Sequence, residues 1–71
     1  MKKREFYVVV EKDEDGFFVG EVTQLTACYS QGETLEELMG NMKDIICLCL
    51  EHEERNVDDL PEFVGVQRIV V

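Results

Sequence analysis

Basic residues are scarce in this chain. Seven Lys and Arg stand against 16 Asp and Glu, for a formal net charge of −9. Three of the seven, Lys2, Lys3 and Arg4, sit together at the start, so the rest of the chain is more acidic than the total suggests. A surface of this sign repels phosphate backbones, which excludes direct nucleic-acid binding by the bulk of the domain. It attracts a basic protein and speeds the encounter. Long apolar runs are also missing. The longest, Ile45 to Leu50, falls far short of the roughly 20 residues that cross a bilayer, so no membrane partner is expected. The opening MKKREFY has no apolar stretch behind its charges and does not read as a secretory signal. The three cysteines, Cys28, Cys47 and Cys49, are odd in number. Without an export signal they are expected as reduced thiols in a cytoplasmic protein. Internal repeats and low-complexity segments are absent, and Pro61 is the single proline.

What remains is a globular composition, 45% apolar and 32% charged, in 71 residues. That is room for one small domain, residues 1–71. A chain this short buries only about 60% of the surface its unfolded form exposes. Folds of this size are marginal without a disulfide, a metal or a partner chain. A homodimer, a higher homo-oligomer or a tight complex is therefore the expectation.

EFYVVVE, residues 5–11, is β-branched and aromatic. Alternation places Phe6, Val8 and Val10 on one face and Glu5, Tyr7, Val9 and Glu11 on the other. Asp15-Gly16 is a tight-turn signal, because glycine accepts positive φ cheaply. FFVGEVTQL, residues 17–25, is a second strand, and the two form a β-hairpin. TACYSQ, residues 26–31, gives a third strand ending at Gly32. Thr34 and Glu37 then form an S/T-x-x-E capping box. The helix is expected from about Leu35 to about Glu54, with Asn56 as its stop. A polar connection around Pro61 leads to FVGVQRIVV, residues 63–71, a last strand. The order is β-β-β-α-β, an α+β domain with an antiparallel sheet and one helix packed on it. The small core and the terminal strand favour pairing or strand exchange across a two-fold.

At about 100° per residue, Leu35, Leu38, Met39, Met42, Ile45, Ile46 and Cys49 share a sheet-facing stripe. Glu36, Glu37, Asp44, Glu51 and Glu54 lie opposite, with Cys47 and Leu48 at the two edges of that acidic face. Gly40 is there too, at a cost of about 1 kcal/mol against alanine. It is either a weakly placed surface glycine or a point of close approach by another chain.

Cys47, Cys49 and His52 look like ligands or a catalytic group. Positions 47 and 49 differ by about 200° around a helix, so their thiols cannot share one metal. Cys49 and His52 alone do not close a tetrahedral site. Nearby acids raise rather than lower a thiol pKa, so no thiol nucleophile is assigned. The acidic groups Asp13, Glu14, Asp15 and Asp58, Asp59, Glu62 sit in a turn and a connection, where carboxylates are ordinarily solvated. Asp13-x-Asp15-Gly16 lacks the other ligands of a calcium loop. The enzymatic alternative is a small metal-dependent nuclease using loop carboxylates. The reading adopted assigns no catalytic residue, metal or cofactor.

Residues 7–51 resemble the HicB-like antitoxin family. Asp13-Glu14-Asp15-Gly16 and Phe17-Phe18-Val19 match its acidic turn and aromatic-led strand. Val22, Leu25 and Cys28 match its third block, and Ser30, Gly32, Thr34, Glu36 and Glu37 match its helix entry. Thr23, Thr26 and Ala27 stand where the family usually has Pro, Pro and Gly, and Leu38 stands where Ala is usual. The resemblance implies a partial RNase H-like domain without the nuclease carboxylates. It also implies a partner, a small basic HicA-type mRNA-cleaving toxin whose active site and RNA surface are masked. Many members carry a C-terminal DNA-binding domain. Here the chain stops after the last strand, so no such domain is expected. The residues assigned to partner binding are Asp13, Glu14 and Asp15 in the turn and Glu36, Glu37, Asp44 and Glu51 on the outer helix face. Leu48 is the apolar anchor among them. The alternative is an orphan homo-oligomeric domain.

Overall fold

The computed structural model describes residues 5–71; the basic cluster Lys2, Lys3 and Arg4 lies outside the described residues. Three short antiparallel strands come first: β1 (Val9–Lys12), β2 (Phe18–Glu21) and β3 (Tyr29–Gly32). They form a meander in the order β1-β2-β3. The register pairs Val10 with Gly20 and Lys12 with Phe18, then Gly20 with Ser30 and Phe18 with Gly32. One helix, α1 (Leu35–Glu51), packs on β3 and β2, and a 3-10 turn at Val57–Asp59 follows. This is the expected α+β arrangement of one helix on an antiparallel sheet.

The turn chemistry is that of the sequence. Gly16 has φ 88°. Asp13 closes the loop on itself. Its Oδ1 accepts from the Asp15 N–H at 3.0 Å and the Phe17 N–H at 2.9 Å. Thr34 is the N-cap of α1, its Oγ1 accepting from the Glu37 N–H at 3.1 Å. The Cys28 segment is not yet strand. Val22 N–H bonds Cys28 O at 2.9 Å across a turn in which Ala27 holds φ 53°.

The core is small: Val22, Leu25 and Cys28 from the β2–β3 connection, and Leu38 and Met42 from α1. Phe6, Val8, Phe18, Ile45, Ile46, Cys49, Leu50 and Leu60 pack around it. Two glycines set the helix close to the sheet. A Cβ on Gly32 would lie 2.7 Å from the Leu38 backbone nitrogen. A Cβ on Gly20 would lie 3.3 Å from the Leu38 methyls. Leu38 thus sits in a seat that any side chain would fill, and it is fully buried there.

Three expectations are corrected. Residues 63–71 form no strand. Val64, Val66, Ile69, Val70 and Val71 are exposed, because β-branched composition favours extended backbone but a strand also needs an edge to pair with. Leu35 and Met39 are exposed, at 52% and 42%, rather than sheet-facing. The helix lies over β2 and β3 and does not reach β1, so the covered stripe is narrower than the apolar one. The helix also ends at Glu51, with His52 as C-cap. Glu53 turns back to accept from the Arg55 backbone N–H and guanidinium. No basic residue occupies the last turn, where acids face the negative end of the helix dipole.

Candidate functional site

Residues 5–71 hold all 16 acidic side chains against Lys12, Lys43, Arg55 and Arg68. Two of those cations are engaged locally. Lys12 lies 5.5 Å from the Phe18 ring centroid, and Arg55 Nε is 2.8 Å from Glu53 Oε1. The Arg55 guanidinium holds the Glu53 carboxyl down at about 2. Negative charge elsewhere on the surface is therefore lightly compensated.

The fold arranges the acids in two groups. The first is at the hairpin tip. Glu14 and Asp15 are exposed, and Asp15 shares a depression of about 270 Å³ with Gly16, Phe17 and Glu33. Glu33 directly precedes the N-cap, and Glu36 and Glu37 in the first helical turn continue the same end of the molecule. Pairing of Phe18 with Gly32 is what brings the hairpin tip to the helix entry. Asp13 differs from its neighbours in the turn. Its carboxylate is turned inward on two backbone N–H groups, so its role is to shape the loop.

The second group runs down α1. Asp44, Leu48 and Glu51 are spaced i, i+4, i+7, which stacks them on one side of a helix, and all three are exposed. Leu48, half exposed, borders a groove of about 580 Å³ at the helix C-terminal end, with Thr26, Ile45, Cys49, His52 and Arg55 along its walls. The rise from Glu37 to Asp44 is about 10 Å at 1.5 Å per residue. The predicted site residues thus share one flank of the molecule without converging on a point. Glu33 and the Arg55 side of the groove were not legible. Glu33 is remote from Asp15 in sequence, and Arg55 enters the groove only because the helix stops early.

The cysteines separate as the helical geometry requires. Cys47 is exposed, Cys49 is half-buried against the core, and Cys28 is buried. Burial, reinforced by the hydrogen bond the neutral Cys28 thiol donates to Cys49, pushes the Cys28 thiol up to about 12 from its ordinary 9.0. A thiol so placed is a packing group rather than a nucleophile.

The Gln24 side chain ties the β2–β3 connection to the chain beyond the helix. It donates to Pro61 O at 3.2 Å, while the Gln24 carbonyl accepts from Arg55 Nη2 at 3.4 Å.

No family model matches this chain. Its sequence is 56% identical over 71 residues to UPF0150 protein ssr1258 of Synechocystis sp., with 100% of both chains covered. It is 47% identical over 66 residues to a UPF0150 protein of Archaeoglobus fulgidus, covering 93% of each. Against UPF0150 protein Ta0767 of Thermoplasma acidophilum the identity is 34% over 56 residues, covering 79% of this chain and 81% of the relative. With 56% identity over the full length of one relative and lower identity over most of two others, the chain belongs to the UPF0150 family.

Proposed function

We propose that this protein is a non-catalytic binding module of the HicB-like antitoxin kind, acting in the cytoplasm. Its target is a small basic mRNA-cleaving protein of the HicA type, neutralised by covering its active site and RNA-binding surface. The observation that carries this reading is the acidic flank. Glu14, Asp15, Glu36 and Glu37 are exposed at one end and Asp44 and Glu51 along α1, with Leu48 offering an apolar contact among them. Such a surface imitates the charge of the nucleic acid that the target binds. Asp13 supports the interface indirectly, by holding the turn that presents its neighbours. The same role inside the turn speaks against Asp13 as a metal ligand, and the proposal assigns no catalytic group, metal or cofactor. The protein also self-associates as a homodimer or higher homo-oligomer.

The test is titration calorimetry against the product of a small basic neighbouring gene, at two salt concentrations. Binding should weaken as salt rises. Leu48→Ala and a Glu36→Gln/Glu37→Gln variant should each weaken it. Absence of binding, or binding indifferent to salt, overturns the electrostatic reading. RNA cleavage that requires Mg²⁺ and Asp13 would instead place the protein among nucleases.

A further inference from the structure

Among the described residues, the segment after Phe63 holds the most exposed large apolar side chains. Val64 is 91% exposed, Val66 75%, Ile69 84% and Val70 78%. Contiguous exposed apolar surface of this kind marks an interaction site. The segment contains no acidic residue and one arginine, Arg68, in a chain of net charge −9. It is thus suited to approach another copy of so acidic a protein.

Among the described residues, the sheet offers one edge for it that the helix leaves uncovered. β3 is one edge of the meander, but the helix lies against it, and Asn41 Nδ2 bonds the Gln31 carbonyl at 2.9 Å. β1 is the other edge, and the helix does not reach it. Beside the segment that leads into β1, on the helix side, runs a groove of about 310 Å³. Its walls include Phe6 and Val8 on the strand side and Met39, Met42, Ile46 and Cys47 on the helix side. A strand added at the β1 edge would hydrogen-bond to β1 and lay alternate side chains over this groove. In FVGVQRIVV, alternation gives one face Val64, Val66, Arg68 and Val70.

The chain's own tail is rooted on the wrong side. Phe63 stacks on Tyr7, with centroids 4.7 Å apart and rings at 18°. Val8 packs toward the core, so alternation turns Tyr7 to the opposite face of the sheet. The root of the tail therefore lies across the sheet plane from the groove beside it. Eight extended residues beyond Phe63 reach about 26 Å, enough to run the length of a neighbouring edge.

We propose that residues 64–71 of one copy add as a strand to the β1 edge of a second copy, with Val64, Val66 and Val70 covering the Phe6–Met39–Ile46 groove. The exchange is reciprocal about a two-fold and closes as a dimer. This rests on the homo-oligomer part of the reading above and specifies its mode. It does not depend on a toxin partner.

The test begins with sedimentation equilibrium of the full chain under reducing conditions. The expected result is a concentration-dependent shift from the 8.2 kDa chain mass to twice that value. Val66→Asp should return the mass to that of one chain with the circular dichroism spectrum unchanged. A single-chain mass at all concentrations overturns self-association altogether. A dimer that survives Val66→Asp leaves self-association standing and overturns the tail as its means.

A second arm does not rely on disruption. Val64→Cys, Val66→Cys and Val70→Cys are oxidised in turn, with the native, exposed Cys47 as the acceptor thiol. At least one should give a disulfide-linked dimer on a non-reducing gel that Cys47→Ser abolishes. A link that leaves the mass of one chain means the tail covers its own groove, and overturns the exchange. Failure of all three to link through Cys47 overturns it as well.

Discussion

Replacing Gly32 with alanine probes the closest approach in the fold. The added Cβ would lie 2.7 Å from the Leu38 nitrogen, 3.1 Å from the Leu38 Cα and 3.2 Å from the Glu37 carbonyl carbon. All three are helix backbone atoms, so no side-chain rotation relieves the overlap. Ordinary van der Waals contact begins near 3.4 Å, so the first turns of α1 must retreat by about 0.7 Å. That movement lifts Leu38 from its seat over Gly20 and strains the Asn41–Gln31 hydrogen bond beside it. Overpacking of this kind costs about 1–3 kcal/mol. With only backbone to yield, the upper half, about 2–3 kcal/mol, is expected. A 71-residue domain has roughly 4–10 kcal/mol in total, so the loss is large, about 10–20 °C in Tm. Gly40→Ala is the internal control. A Cβ there meets nothing within 4 Å, and the gain in helix propensity is about 1 kcal/mol. The same chemical change should therefore act in opposite directions at two glycines. Urea unfolding followed by circular dichroism measures both, at one fixed protein concentration because self-association contributes to stability. Gly32→Ala within about 0.5 kcal/mol of the parent would refute the close-seating argument. A destabilising Gly40→Ala would show that the outer helix face is covered by another chain.

Ala27 at φ 53° should be improved by glycine. Left-handed backbone costs an L-residue about 1–2 kcal/mol, part of which is returned as glycine's greater unfolded-state entropy. The urea midpoint of Ala27→Gly should rise by the equivalent of about 0.5–1 kcal/mol; a fall contradicts the strain. Cys28 gives a pH prediction. Its thiol is raised from 9.0 to about 12 in the fold, so the unfolded chain ionises first. The neutral thiol's contribution is complete below pH 9 and declines up to about pH 12, by at most about 1.4 kcal/mol per pH unit. Comparing the pH profiles of the parent and Cys28→Ala isolates this loss from other alkaline titrations. Parallel profiles count against it, as would thiol-reagent labelling of Cys28 as fast as that of exposed Cys47.

Local rules carried the first half of the chain. Asp13, Asp15 and Gly16 mark a turn through backbone chemistry that acts within a few residues, and Thr34 and Glu37 mark the helix start in the same way. The wheel separated Cys47 from Cys49 because 100° per residue does not depend on what surrounds the helix. Where a face was to be buried, pattern alone overreached. Leu35 and Met39 continue the apolar stripe, yet the sheet beneath them is too narrow to cover them. The acidic flank was half legible. Its composition could be counted, but Glu33 joins Asp15 only through the pairing of β2 with β3.

The sequence by itself determined the sign of the surface, the hairpin, the helix entry and the α+β class, because each follows from composition or from interactions along a few consecutive residues. The tertiary structure alone decided three things. Leu38 is the centre of the core because Gly20 and Gly32 leave room for it. The helix leaves β1 as an open edge. Residues 63–71, strand-like in composition, pair with no strand among the described residues, although Phe63 stacks on Tyr7. A strand is completed only by the edge it pairs with, and no amount of β-branched sequence supplies that edge.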